Sequence, residues 1–410
     1  MITIPILMMY VLLFVGLYFQ IFLLATFLEE KKRDKKSLPR PSPFPEVTII
    51  VPCWNEEKTL EGTIRSLMAL NYPKKKLRVV VVDDGSTDNT RSVAEELKKE
   101  FPSVFVYSQN NGGKHTAVNF GIENTKSPFV GCLDADSFVD PQALQRILPL
   151  FKDPKVMSVT PAIRVHEPKN ILQLIQRAEY NFGIWSKYLF GKLGALYVTP
   201  GPFSIFRRKI FDELGGFRNA HNTEDMEIAF RMQANHHKIV NCPDAYVYTV
   251  APNTFKKLYR QRVRWMYGFL RNCFDYRFLF FKKKYGNLGI FMLPFSFFSI
   301  FAALYLTATS LTSAVQYLDA KIIKIETVGF NIKFPTFDWF FVDTKAAGFI
   351  MLTLMGLTFI MLLLGRKMAE NTYKPRLDMF YFMFLYSFMA PIWLTKAVYN
   401  TILSKKSPWR

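Results

Sequence analysis

Hydrophobic and polar positions divide the chain into three regimes. Residues 4–28 form an apolar run without a charge, ending at Glu29-Glu30. About 20 apolar residues suffice to cross a bilayer, so this run predicts a membrane-spanning helix. It has no basic n-region and no clear A-x-A site, so it is expected to remain as an anchor rather than be cleaved. Apolar stretches near 289–313, 346–365 and 379–400 predict three further spans. Between the first span and the others, from Val47, short β-branched runs alternate with helical stretches. Strands are expected at Val47–Val51, Leu77–Val82, Val104–Tyr107 and Pro128–Leu133. Helices are expected at Glu57–Ala69, through Ala94 to Lys99 with Ser86 or Thr87 as cap, and near Lys114–Glu123. Such alternation argues for a parallel α/β sheet, with ligands at the carboxyl ends of the strands. Asp83, Asp84, Asp134 and Asp136 all sit at such ends.

Further along, Ile171, Leu174, Ile175, Ala178, Phe182, Trp185 and Leu189 recur at helical spacing. Residues 168–190 are therefore expected as an amphipathic helix, either lying in the bilayer interface through Trp185 and Tyr188 or packing on the core. Gly201–Arg208 reads as a strand and loop, and Glu224–Asn235 as a helix opened by Thr223-Glu224-Asp225. The basic and apolar run Thr254 to Arg277 precedes the second span. The domain plan is thus a span at 1–28, a basic, proline-containing linker at 29–46 and an α/β domain at 47–250. An interfacial helical region at 251–285 and a membrane region at 286–410 complete it.

Charge refines this plan. The 410 residues carry a net charge of +20, and half of them are hydrophobic. Lys and Arg cluster beside the spans, which favours lipid headgroups and places the positive flank in the cytoplasm. Lys31, Lys32, Arg33, Lys35, Lys36 and Arg40 put the α/β domain on that side, ahead of the stiff Pro41, Pro43 and Pro45 linker. No zinc-finger spacing, basic-leucine pattern or stacking platform points to nucleic acid. Four spans place the C-terminus outside, in conflict with Lys405-Lys406-Ser407-Pro408-Trp409-Arg410, unless a span near Pro294 or Pro391 is broken. The segment with Trp339, Phe340 and Phe341 is expected outside. Cys53, Cys132, Cys242 and Cys273 form no C-x-x-C pair and are expected to fill small buried sites in a reducing compartment.

Several residues carry candidate chemistry. Gln261, Arg264 and Trp265 share one helix face and offer an amide, a guanidinium fork and a ring to a sugar and a phosphate. Asp134-x-Asp136 can hold a hard divalent cation bridging a diphosphate, or be a solvated turn. Asp83-Asp84 can accept from a nucleobase edge, or be turn residues. Lys114, after the Asn110–Gly113 loop, suits a phosphate at a helix N-terminus, or is a solvent lysine. Asp225, in the first turn of a helix whose N-terminus favours the ionised form, suits a general base, or is a capping acid.

Six motifs occur in order: Val-Pro-Cys-Trp-Asn-Glu-Glu (51–57), Val-Asp-Asp-Gly-Ser (82–86), Asn-Gly-Gly-Lys (111–114), Leu-Asp-Ala-Asp (133–136), Thr-Glu-Asp (223–225) and Gln-Arg-Val-Arg-Trp (261–265). Together they resemble the processive membrane glycosyltransferases of family 2, the cellulose, chitin, hyaluronan and poly-N-acetylglucosamine synthases. The likeness covers about residues 45–275. It implies a GT-A catalytic domain inserted between transmembrane helices, with amphipathic interfacial helices, on the cytoplasmic face of the plasma membrane. It places Glu56 and Asp83 at the uridine pocket with Asp84 beside it, Lys114 and Arg264 at the diphosphate, and Mg²⁺ or Mn²⁺ on Asp134 and Asp136. Asp225 is implied as general base, with Gln261 and Trp265 at the acceptor end. Thr223, with Gly201–Phe203, is expected to shape donor choice, and Glu224 joins it on the substrate side. The implied reaction is inverting transfer from a UDP-sugar, UDP-GlcNAc first, to a growing β-linked polysaccharide, amid membrane lipids and with room for a small membrane partner subunit. Thr-Glu-Asp and the single N-terminal span make the poly-β-1,6-N-acetylglucosamine type the most similar. Trp54 and His115 depart from the usual pattern. The alternatives are a non-processive transferase acting on a lipid carrier or glycolipid, and a non-catalytic nucleotide-sugar-binding subunit.

Overall fold

The computed structural model describes residues 4–33, 44–329 and 346–405. Lys35, Lys36, Arg40, Pro41 and Pro43, the aromatic run at 339–341, and residues 406–410 lie outside them. The chain opens with helix α1 (Ile4–Arg33). Strands and helices then alternate as β1 (Val47–Cys53), α2 (Leu60–Met68), β2 (Leu77–Asp83), α3 (Thr90–Glu100), β3 (Val104–Ser108), α4 (Lys114–Glu123) and β4 (Phe129–Cys132). Next come β5 (Ser137–Val139), α5 (Ala143–Ile147), β6 (Val156–Val165), α6 (Ile171–Lys192), β7 (Ser204–Arg207), α7 (Lys209–Leu214), α8 (Glu224–Ala234), β8 (Lys238–Thr249) and α9 (Phe255–Asp275). Helices α10 (Leu293–Val328), α11 (Ala346–Glu370) and α12 (Leu377–Ile402) follow.

The eight strands form one sheet in the order β3-β2-β1-β4-β7-β6-β8-β5. Only the β3-β2-β1-β4 half is the expected parallel array. β7 runs antiparallel to both β4 and β6, and β5 antiparallel to β8, so the sheet is mixed. Successive side chains of a strand point to opposite faces. Ile49, Val51, Val79 and Val81 accordingly pack on Leu60, Ile64 and Leu144, while Ile50, Val80 and Val82 pack on Ala117, Val118 and Ile228. β1 is buried along its whole length, as expected for a strand covered on both faces. The helix expected to start from Ser86 or Thr87 begins only at Thr90. The Ser86 hydroxyl accepts instead from the Asn55 N–H at 3.0 Å, tying the first two motif turns together.

Among the described residues four helices are long and apolar enough to cross a membrane: Ile6–Lys32, Leu288–Thr327, Ala346–Glu370 and Leu377–Ile402. Neither proline breaks its span. α12 continues through Pro391, and the span holding Pro294 runs through a π-helical turn, Leu288–Met292, directly before α10. Helix α6 joins these spans to the sheet. Asn170 caps it by accepting from Gln173 N at 2.9 Å, and Gln173 Oε1 accepts from Lys169 N, a variant of the capping box. Trp185 is fully buried, its ring 6.0 Å from that of Phe27 on α1. Arg177 reaches Asp378 at the start of α12 at 2.7 Å, and Gly365 of α11 lies against the Asn181 backbone.

Candidate active site

The carboxyl ends of β1, β2 and β4, the N-termini of α4 and α8, and one face each of α6 and α9 enclose a cavity of about 1190 Å³. Glu56, Asp84, Lys114, Asp134, Asp136, Glu224, Asp225, Gln261, Arg264 and Trp265 all line it. Residues separated by more than two hundred positions thus meet as the motif order suggests.

The glycine loop before α4 is held by Asp84. Its Oδ1 accepts from Gly112 N at 3.0 Å and Gln109 Nε2 at 2.7 Å, and its Oδ2 from Gly113 N at 2.9 Å. Gly113 has φ +90°, a conformation that disfavours side chains, and it sets Lys114 at the start of α4. Lys114 Nζ then reaches Asp134 Oδ1 at 2.5 Å and Glu224 Oε1 at 3.6 Å. Burial opposes its charge, but the two carboxylates outweigh burial and hold the ammonium well above the usual lysine range. Gly201 makes room for this pair. A Cβ there would collide with Lys114 Nζ and lie 2.7 Å from Asp134 Oδ1.

Burial, then Asp134, then Glu56 push the Asp136 carboxyl up to about 7. Negative charge at this point is under-compensated by the protein alone. Among the described residues no cluster of three or more His, Cys, Asp or Glu forms a closed metal site. A pair of carboxylates open to a cavity suits a dication that takes its other ligands from substrate phosphates and water, as Mg²⁺ does. Asp134 and Asp136 fit that role.

Asp225 lies in the first turn of α8, and its Oδ1 accepts from Met226 N at 3.0 Å. The helix N-terminus was expected to favour its ionised form. Instead burial, followed by the neighbouring Glu224, pushes its carboxyl up to about 6, with Lys114 and Arg264 pulling the other way. Across the cavity, Arg264 Nη1 donates to Asn222 O at 2.8 Å. The Gln261 side-chain oxygen is buried with no partner among the described residues.

Three expected site residues, Asp83, Thr223 and Phe203, do not line the cavity, and Phe203 is fully buried. Asp83 is 3% exposed, and its Oδ1 accepts from Ser86 N at 3.1 Å within its own turn. Thr223 is 1% exposed. Its hydroxyl donates to Ala220 O at 2.9 Å and accepts from Asn272 Nδ2 at 3.0 Å. Thr223 also packs over Gly268, where a Cβ would collide with it, so it docks α9 on the N-terminus of α8. Its place in the structure is that of a spacer between Asp225 and the Arg264–Trp265 face, not of a donor contact.

The motifs also leave out part of the wall. Glu179, Gly183 and Lys187 line the cavity from α6 at i, i+4 and i+8, with Tyr180 and Ile184 beside them. Burial pushes the Lys187 amine down to about 8, against the pull of Asp225 and Glu179. Two charges eight residues apart on an otherwise apolar face were the available signal. Arg262, inside the pentapeptide, is 7% exposed and bonded to Glu179.

A family model described as "Glycosyltransferase like family 2" matches residues 45–268. The poly-beta-1,6-N-acetyl-D-glucosamine synthase of Staphylococcus aureus (strain COL) is 34% identical over 224 residues, 54% of this chain and 54% of that protein. That of Staphylococcus epidermidis is 32% identical over 224 residues, with the same shares. The chain spans about half the length of the curated relatives it matches. Among solved structures, the mannosyltransferase PcManGT from Pyrobaculum calidifontis, in complex with GDP-Man and Mn²⁺, aligns over 97% of this chain and 99% of its own, with a TM-score of 0.63 and 18% identity. That likeness shows a shared fold, the GT-A domain with its mixed sheet. With more than half of its residues under the family model, the chain belongs to glycosyltransferase family 2.

Proposed function

We propose that the protein is an inverting glycosyltransferase of the cell membrane, its catalytic domain on the cytoplasmic side. It transfers N-acetylglucosamine from UDP-GlcNAc to the end of a growing β-linked polysaccharide. The observation that carries this reading is one cavity holding a buried carboxyl raised to about 6, a lysine-paired Asp134 beside Asp136, and an amide–arginine–indole face. Names of the staphylococcal relatives support the polymer and its N-acetylglucosamine unit.

Asp225 takes the proton from the acceptor hydroxyl, and that oxygen attacks the anomeric carbon as the bond to the diphosphate oxygen breaks. Attack from the face opposite the leaving group inverts an α-linked donor to a β-linkage. Lys114 and Arg264 receive the charge developing on the diphosphate. Asp134 and Asp136 would hold Mg²⁺ or Mn²⁺, which supplies further neutralisation of that charge. Asp84 keeps the glycine loop closed around the phosphates, and Glu56 borders the nucleoside end. Trp265 offers its face to the terminal sugar, and the unpartnered Gln261 oxygen offers an acceptor to a sugar hydroxyl.

A second reading is transfer of a single sugar to a lipid carrier or glycolipid, for which the long apolar helices beside the domain would bring the acceptor to the cavity. One experiment separates the two. Purified protein in lipid nanodiscs with Mn²⁺ is given UDP-GlcNAc, UDP-glucose or GDP-mannose, and nucleotide release and product length are measured together. Long polymer from UDP-GlcNAc supports the synthase. Release with products of one or two sugars supports the second reading. Asp225→Asn should bind donor yet turn over at least a hundredfold more slowly, within the roughly 10²–10⁴-fold typical of a positioned base; unchanged turnover would remove Asp225 as base.

A further inference from the structure

We propose that Glu179 and Arg262 are positioning residues that fix the ring of Trp265, and that Tyr386 links this setting to α12. The inference rests on Trp265 being the acceptor platform. Arg262 lies three residues before Trp265, so the two side chains neighbour each other on α9. The guanidinium carbon sits 4.6 Å from the centre of the indole ring. Arg262 Nη2 donates to Glu179 Oε2 on α6 at 2.7 Å. The other oxygen of the same carboxylate accepts from Tyr386 OH on α12 at 2.9 Å. Both oxygens of Glu179 are therefore bonded, to two different helices.

Several features make this arrangement a device for orientation. A guanidinium is planar and always charged, so a fixed Arg262 presents a fixed surface for the indole to lie against. Burial opposes its charge, and Glu179 is the main group that outweighs burial. Loss of Glu179 would free Arg262 to seek other acceptors, and the ring would lose its backing. All three side chains line the cavity that holds Asp225. An ion pair serving only to hold helices together has no need to stack on that ring. The neighbouring Val263 packs on Trp393 and Leu394, so α9 and α12 meet along one seam and Tyr386 is part of it.

The test is a double-mutant cycle on the full chain in lipid nanodiscs. UDP-GlcNAc and Mn²⁺ are supplied, with a β-linked N-acetylglucosamine pentasaccharide as acceptor probe. Acceptor KM, kcat, donor Kd and thermal unfolding are measured for Glu179→Gln, Trp265→Leu and the pair. Glu179→Gln keeps the size of the side chain and should raise acceptor KM about tenfold, a coupling within the range of contacting residues, with donor Kd changed less than about twofold. In the Trp265→Leu background the same change should add less than about twofold, because the ring through which Glu179 acts is gone. Arg262→Lys, which keeps the charge but loses the plane, should match Glu179→Gln. Tyr386→Phe should raise acceptor KM without lowering the unfolding temperature, and it carries the test if Glu179→Gln does not fold. Additive effects, an unchanged KM, or an equal loss of donor affinity would overturn the positioning role. If Trp265→Leu alone leaves acceptor KM unchanged, the platform reading fails first, and the two failures are told apart.

Discussion

The acid side of the pH–rate profile tests the role of Asp225 most directly. Its carboxyl is raised from 3.8 to about 6, first by burial and then by Glu224. A raised carboxyl holds its proton to higher pH, so the base is lost as pH falls through the raised value. With a value of about 6, roughly nine-tenths of the carboxyl is ionised at pH 7 and roughly one-tenth at pH 5. The maximal rate should therefore fall about tenfold between pH 7 and pH 5, whereas an ordinary aspartate would change it by less than about a tenth. Asp136 is also raised, to about 7, and its proton competes with a bound dication. Measuring nucleotide release at saturating donor and at two Mn²⁺ concentrations separates the groups. A limb that moves to lower pH with more Mn²⁺ belongs to Asp136, and one that stays belongs to Asp225. Glu224→Gln removes the nearest like charge and should move the fixed limb to lower pH. A rate that is flat from pH 7 to pH 5, or a limb indifferent to Glu224, would refute the assignment.

Three further outcomes follow from the packing. Gly201→Ala places a methyl group against Lys114 Nζ and 2.7 and 2.9 Å from the Asp134 oxygens. It should weaken donor binding by about tenfold in calorimetric titration, on the order of 1.4 kcal/mol, while the unfolding temperature holds. Gly365→Ala places a Cβ 2.5 Å from Asn181 O and 2.9 Å from the Phe182 Cα, which are backbone atoms that cannot swing aside. It should destabilise the α6–α11 crossing by about 1–3 kcal/mol, read as a lower unfolding temperature in nanodiscs. The four cysteines are free and buried, and burial pushes the Cys132 and Cys242 thiols up to about 12. Ellman's reagent should find no thiol in the native protein at pH 7.5 and four after denaturation, since the thiolate is the reacting form.

The parallel half of the sheet was legible because its strands are continuous β-branched runs separated by glycine and aspartate turns. In the other half only β7 was, inside the Gly201–Arg208 strand and loop. β6 and β8 carry Pro161 and Pro243, which cannot donate to a ladder, and their register shifts between Val156 and Ser158 and between Thr160 and Ala162. The lining of the candidate site was legible where its residues sit in short motifs, as at Asp134, Asp136 and Asp225. It was obscure where a role depends on direction. Asp83 and Asp84 are adjacent, yet one turns into its own loop and the other toward the glycine loop and the cavity. The sign of the shift at Asp225 could not be read from its helix position, because burial and Glu224 outweigh the helix terminus. Lys187 and Glu179 belong to a helix whose apolar stripe was plain, but which wall these two charges would complete depends on the tertiary fold.

Lys114, resting between Asp134 and Glu224, gives the site its own counter-ion. Seven carboxylates line the cavity, Glu56, Asp84, Asp134, Asp136, Glu179, Glu224 and Asp225, against the cations Lys114, Lys187, Arg262 and Arg264. Under the proposed function, binding of a cation-bearing nucleotide would be an exchange of partners. Asp134 and Asp136 would hold the dication and Lys114 would exchange Asp134 for a phosphate oxygen, so the number of charges facing one another would change little. Much of the Coulomb attraction gained on one side would be given up on the other. Affinity from such an exchange would depend on fit more than on net charge, which under the proposed function suits a strongly basic protein selecting one nucleotide sugar among many other polyanions.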